Sequence, residues 1–198
     1  MRGDEWRAGF QPRADLGRGS DALVGCEEMQ GEQTDGAIEG TRRRVVDITL
    51  DQFGAIGVGA EQGPLAWIGI ALAAGVELAE ALRSAGWPVR LKWPNDILLN
   101  GAKLAGILVE LDAMAEGPSR VIIGVGINEA LLADERAGLE RPVAALQDAA
   151  IAYDRHGLLA DMAARLERLL LEFPEAGLAR WLPRWAPLDD LQGQRVNF

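Results

Sequence analysis

Two lysines and an aspartate stand close together in KWPNDILLNGAKLAG, Lys92 to Gly106. An ammonium can neutralise a carboxylate or phosphate, and a carboxylate beside it can take a proton from an incoming amine. Their spacing matters as much as their type. Ile97–Leu99 and Lys103–Leu111 have the composition of strands, and Asn100-Gly101 between them is a strong two-residue hairpin signal. Leu99 then faces Ala102, Leu98 faces Lys103, and Asp96 faces Ala105. Residues two apart on a strand share a face, so Asp96, Leu98, Lys103 and Ala105 are expected to point the same way. Asp96 and Lys103 become diagonal neighbours, roughly 7–8 Å apart by backbone. This register assumes no bulge, and Gly106 is where one would disturb it.

By spacing alone, a surface ion pair contributing ~0–1 kcal/mol is the simpler account of the two charges. Two details favour chemistry. Ile97, Leu99, Leu104, Ile107, Leu108 and Val109 are apolar enough to place the hairpin inside a sheet. Trp93-Pro94-Asn95 also pins a turn where Asp96 begins, a tighter constraint than a loose pair needs. A second feature is Gly124-Val125-Gly126-Ile127-Asn128, whose glycines let a backbone approach a ligand and whose Asn128 can both donate and accept. It lacks the spacing of a dinucleotide fingerprint or a P-loop. Taken alone, tight strand packing explains these glycines better.

The elements that must position these groups follow from periodicity. Pro64 suits a first helical turn, and Leu65, Ile68, Leu72, Val76, Ala79 and Leu82 recur at three and four, predicting a helix with one apolar stripe. Gly86 offers its stop. Val89–Leu91 is a short strand ending at Trp93-Pro94. Arg120–Ile127 is nearly all apolar and is expected to be a strand buried on both faces. Val143–Ala149 predicts a short helix, Gly157–Phe173 an amphipathic one with Leu158, Met162, Leu166, Leu169 and Leu170 on one side, and Gly177–Trp185 a third. Before Pro64 the pattern weakens. Asp21–Glu27 and Arg44–Leu50 have strand character, Gln30–Gly40 is a loop, and Gly54–Gly63 is too glycine-rich for more than a weak strand. Helices alternate with hairpins, which predicts an α+β fold with a mixed β-sheet covered on one side by helices.

Composition sets outer bounds. With 198 residues, 48% hydrophobic and 25% charged, the chain can bury its own core. One cysteine, Cys26, excludes a disulfide framework and a Cys-rich metal site. A net charge of −10 opposes a nucleic-acid-binding role, since such proteins present a clustered basic face. Arg42-Arg43-Arg44 is the only basic run, long enough to hold a small anion. The apolar run Ile68–Val76 is short of a membrane span and carries glycines. No signal peptide is evident at the start, so a cytoplasmic location without membrane contact is expected. The lone His156 precedes an amphipathic run and is expected at a loop or helix start, outside any catalytic role.

KWPNDILLNGAKLAGILVEL followed by VIIGVGIN resembles the catalytic core of biotin protein ligases. The similarity runs upstream through GPLAWIGIALAAGVELAEALR and downstream through LERLLLEFPEAGLARWLPRW to PLDDLQGQRVNF. It implies a biotin/lipoate ligase-like catalytic fold and a two-step reaction: biotin and ATP condense to biotinyl-5′-AMP with loss of pyrophosphate, and a lysine of a biotin carboxyl carrier protein then takes the biotin. Carried onto this chain, Lys103 would hold the biotin carboxylate and then the adenylate phosphate, and Asp96 would orient or deprotonate the acceptor lysine. Gln33 and Gly106 would join Lys103 in binding biotin. Lys92, Asn95, Asn128, Arg42, Arg43 and Arg44 would serve ATP and the adenylate. Mg²⁺ is expected with ATP, bridging phosphates without a dedicated protein metal site. A homodimer is allowed.

The family's ligand loop carries QTxGRGRxGR. Gln33, Thr34 and Gly36 fit it, whereas Ala37, Ile38 and Glu39 stand where Arg-Gly-Arg is expected, and Arg42–Arg44 come late. The resemblance implies one catalytic-type domain over residues 1–185, with 1–63 divergent or damaged. Residues 186–198 would begin a truncated C-terminal β-barrel. An active ligase with a divergent loop is one reading; a non-catalytic biotin- or adenylate-binding module, or an inactive shortened copy, is the alternative. A lipoate-ligase relative would share the fold, but the KWPND and GVGIN pair favours biotin.

Overall fold

The computed structural model describes residues 22–30, 44–53, 63–112, 120–137, 139 and 141–195. Six strands form one sheet: β1 (Ala22–Gln30), β2 (Arg44–Phe53), β3 (Val89–Lys92), β4 (Asp96–Leu99), β5 (Ala102–Asp112) and β6 (Arg120–Ala130). Their order across the sheet is β1-β2-β6-β5-β4-β3. The helices are α1 (Gly63–Ser84), α2 (Ala133–Ala137), α3 (Arg155–Ala176) and α4 (Leu182–Trp185). The α+β layering agrees with expectation. Among the described residues the sheet is not mixed, however: every pair of neighbouring strands is antiparallel, and parallel contact is confined to the isolated bridges Leu91–Asp189 and Lys103–Val143. Short reversals join β3 through β6 into a meander, and a meander can only be antiparallel.

α1 connects β2 to β3, at the far edge of the sheet. It was expected to bury a single stripe, yet between Gly69 and Leu82 only Ala71 and Glu80 are not buried. The cause is a second contact surface, because α1 lies between the sheet and the α3–α4 layer. Small residues permit that closeness. A Cβ at Gly69 would stand 3.1 Å from Phe173 Cζ. Gly86, at φ 109°, ends the turn after α1 as expected, and the Trp87 N–H donates back to the Leu82 carbonyl.

Buried side chains of β3 and β6 alternate, Val89 and Leu91, and Val121, Ile123, Val125 and Ile127; β4 and β5 add Ile97 and Leu99, Leu104 and Ile107, with Leu98 and Ala105 buried between them. The predicted burial of β6 on both faces is therefore incorrect. Its alternate residues Ile122, Gly124 and Gly126 are only half-buried, because none of the described helices covers their side. α3 buries the five residues expected of it. Asp154 caps this helix by accepting from the His156 N–H, so His156 is an exposed helix-start residue as predicted.

Two other expectations need correction. Val143–Ala149 contains only a single 3₁₀ turn at Leu146–Ala149, because Val143 and Ala144 lie extended beside Lys103. Gly177–Trp185 is a 3₁₀ turn at Leu178–Arg180 followed by α4, not one helix. Pro183, without an N–H, suits only the first turn of a new helix. Glu77 fastens this region to α1: it accepts from Trp181 Nε1 at 2.8 Å and Arg184 Nη1 at 2.7 Å. Strong hydrogen bonds to Glu80 and Glu77 hold the Arg184 guanidinium well above its ordinary pKa, so it stays charged. Beyond α4, Leu188 joins the core, and Asp190 donates its N–H to the Leu91 carbonyl.

Candidate active site

The Asn100-Gly101 turn has the conformation its sequence demands, with φ 52° and 79° at its two central residues. Leu99 pairs with Ala102 and Leu98 with Lys103, as predicted. Beyond that the ladder shifts. Ile97 pairs with Ala105, and Asp96 pairs with Gly106 in place of Ala105. The extra residue in β5 is a bulge, and it turns Ala105 into the core. The face shared with Asp96 therefore holds Lys103 and Gly106, three apart. The expected Asp96–Lys103 proximity survives and is tighter than a diagonal pairing would give, because Lys103 Nζ contacts Asp96 Oδ1 directly.

A bulge leaves backbone groups without ladder partners, and buried ones must find others. Here the segment Pro142–Ala144 supplies them. The Lys103 N–H donates to the Pro142 carbonyl at 3.0 Å, and the Ala144 N–H donates to the Lys103 carbonyl at 2.8 Å. Asn128, only 6% exposed, donates through Nδ2 to the Lys103 carbonyl at 3.3 Å and to the Ala144 carbonyl at 3.1 Å. Its amide nitrogen thus holds the bulge. Arg136 secures the same segment from behind, donating to the Val143 carbonyl and to Asp148 Oδ1. Burial pushes the Asp148 carboxyl upward, but hydrogen bonds from Arg136 and the Ala145 N–H outweigh it and hold the group below its ordinary value.

Asn95 holds the other side of the pair. It donates through Nδ2 to the Ile107 carbonyl at 2.8 Å, and its own carbonyl accepts the Ile107 N–H at 2.9 Å. Asp96 is thus fixed between a stapled turn and the β4–β5 ladder. Lys92 lies directly opposite it on β3, exposed and without an ion pair to any described residue. One cation near Asp96 carried no sequence signal. Arg141 Nη1 approaches Asp96 Oδ2 at 3.5 Å, brought there by the segment that clamps Lys103.

The sheet beside this cluster is nearly bare. Gly106 stands opposite Gly126, and Gly124 lies one step further along the same face, opposite Leu108. A Cβ at Gly106 would stand 3.2 Å from Lys103 Nζ, so glycine is what lets the ammonium lie across β5 to reach Asp96. Lys103 and Asp96 retain 24% and 15% of their side-chain exposure, open enough to meet a solute and enclosed enough to be oriented. Arg44 begins β2, while Gln33, Arg42 and Arg43 lie outside the described residues. Among the described residues no group of three or more His, Cys, Asp or Glu could hold a metal ion, and no helix is long and apolar enough to cross a membrane.

The helix-backed antiparallel sheet thus presents the Lys103–Asp96 pair beside Gly106 and Gly126. Residues 58–128 match the Biotin/lipoate A/B protein ligase family. The bifunctional ligase/repressor BirA of Escherichia coli (strain K12) is 44% identical over 139 residues, covering 70% of this chain and 43% of that protein. The biotin--[acetyl-CoA-carboxylase] ligase of Paracoccus denitrificans is 34% identical over 138 residues, covering 65% of this chain and 58% of that protein. The chain therefore spans less than two thirds of the length of either relative. The biotin protein ligase from Aquifex aeolicus in complex with biotin and ATP shares the fold, with a TM-score of 0.53 at 19% identity over 73% of this chain and 58% of that one.

Proposed function

We propose that this chain is an ATP-dependent biotin protein ligase. The Lys103–Asp96 pair on the open sheet face, in a segment that matches the family, is the observation that carries this reading. In the first step a biotin carboxylate oxygen attacks the α-phosphorus of ATP, the bond to the β-phosphate oxygen breaks, and pyrophosphate leaves. Lys103 holds the carboxylate and then the phosphate, stabilising charge where it accumulates. Lys92, with no ion pair among the described residues, faces the departing phosphates. Gly106 and Gly126 admit the ligand close to the backbone, and Asn95 and Asn128 keep Asp96 and Lys103 in position.

In the second step the amine of a carrier lysine attacks the acyl carbon, AMP leaves, and the amine loses a proton. Asp96 orients that amine or accepts its proton once Lys103 has turned to the phosphate. Gln33, Arg42, Arg43 and Arg44 complete the biotin and triphosphate contacts. Mg²⁺ would accompany the nucleotide and offset its phosphate charge. The carrier is a biotin carboxyl carrier protein of an acetyl-CoA carboxylase. The proposed compartment is the cytoplasm, where ATP and such carriers meet. Residues 1–185 form the ligase unit, residues 186–198 lead toward a further β-barrel, and the protein can pair as a homodimer. Biotin-dependent release of pyrophosphate from ATP tests the reading; its absence in the intact chain would favour a binding module that does not activate biotin.

A further inference from the structure

We propose that Arg141 is a positioning residue that holds Asp96 while Lys103 leaves it for the anionic substrate. The inference deepens the proposed ligase function and rests on it. In the structure one carboxylate serves two cations through different oxygens, Lys103 at Oδ1 and Arg141 at Oδ2. The two need not compete for the same atom. Lys103 cannot bind a carboxylate or phosphate and remain fully paired with Asp96. When its ammonium turns away, Asp96, at 15% side-chain exposure, would face an incoming anion with its charge unbalanced. Arg141 supplies the balance.

Its placement follows from the fold. Pro142–Ala144 binds the backbone of Lys103, so the residue immediately before that clamp is delivered to the far side of Asp96. Any displacement of the clamp moves Lys103 and Arg141 together. Arg141 keeps 64% of its side-chain exposure, so its pairing contributes little at rest. Its effect is small, though measurable, without ligand and larger once Lys103 is engaged by one.

Isothermal titration with a non-hydrolysable biotinyl-adenylate analogue tests this in the full chain. Arg141→Gln should weaken binding about fivefold, and Arg141→Lys should restore most of the loss. In an Asp96→Asn background, Arg141→Gln should have no further effect, because the charge it balances is gone. A loss of equal size in that background would mean Arg141 touches the ligand directly, and unaltered binding in the single variant would mean it has no role; either overturns the proposal. A second measurement needs no ligand: the rate at which Lys103 is acylated by an amine-directed reagent, followed by peptide mass spectrometry. With Arg141→Gln, Asp96 is left to Lys103 alone, and labelling should slow about threefold. An unchanged labelling rate overturns the coupling. Slowed labelling in a chain that binds no analogue would instead refute the ligase reading and leave the Arg141–Asp96–Lys103 coupling intact.

Discussion

Replacing Gly106 by alanine should separate activity from stability. The added Cβ would stand 3.2 Å from Lys103 Nζ, 3.3 Å from Lys103 Cε and 3.9 Å from Asp96 Oδ1. The two closest atoms belong to the end of a flexible side chain, so they can move aside by a few tenths of an ångström or more without backbone strain. The cost to folding is the weakening of a partly exposed ion pair, about 0–1 kcal/mol. Against it stands a gain of about 0.4–1 kcal/mol from restricting the unfolded chain. The sum is close to zero. Catalysis is less tolerant, because a reacting group displaced by about 1 Å can lose about 100-fold in rate. Gly106→Ala should therefore keep its urea midpoint while its biotin-dependent pyrophosphate release falls by about 10- to 100-fold. Full activity in a folded variant would refute the placement of Lys103 over Gly106 as the reason for glycine there.

Other consequences follow from the clamp. Asn128→Ala removes donors to the Lys103 and Ala144 carbonyls in a buried setting, and should lower stability by about 1–3 kcal/mol; an unchanged urea midpoint would contradict this. Asp148 has its folded-state pKa depressed, so its contribution is present above the ordinary carboxylate value of about 3.9 and lost as pH falls through the lower folded value. Asp148→Asn should accordingly be less stable than the parent at pH 6, with the difference shrinking below about pH 4. A difference that widened under acid would reverse the assigned sign.

Local signals served well where local chemistry decides. Asn100-Gly101 defined its turn and Gly86 its helix stop, and α3 buried the face its periodicity marked. Asp96 and Lys103 could be brought together from spacing alone, since the hairpin fixes their approach. The bulge could not be read, because its stabilising partners lie some forty residues downstream in Pro142–Ala144. For the same reason Arg141 was invisible: nothing in RPVAAL announces a clamp. The apolar run of β6 suggested burial on both faces, but Gly124 and Gly126 occupy the uncovered side and leave it bare. α1 misled in the opposite direction, its alanines and glycines hiding a second packed face. Gln33, Arg42 and Arg43, the expected loop contacts, lie outside the described residues.

The proposed reaction depends on an ammonium held over bare sheet, ready to exchange one carboxylate for another. Purified chain incubated with biotin, Mg²⁺ and α-labelled ATP, with adenylate and pyrophosphate followed in parallel with Lys103→Gln, tests that most directly. Biotin-dependent adenylate in the parent, reduced at least 100-fold in a folded Lys103→Gln variant, is the predicted result. Adenylate formed equally well without the lysine would contradict it.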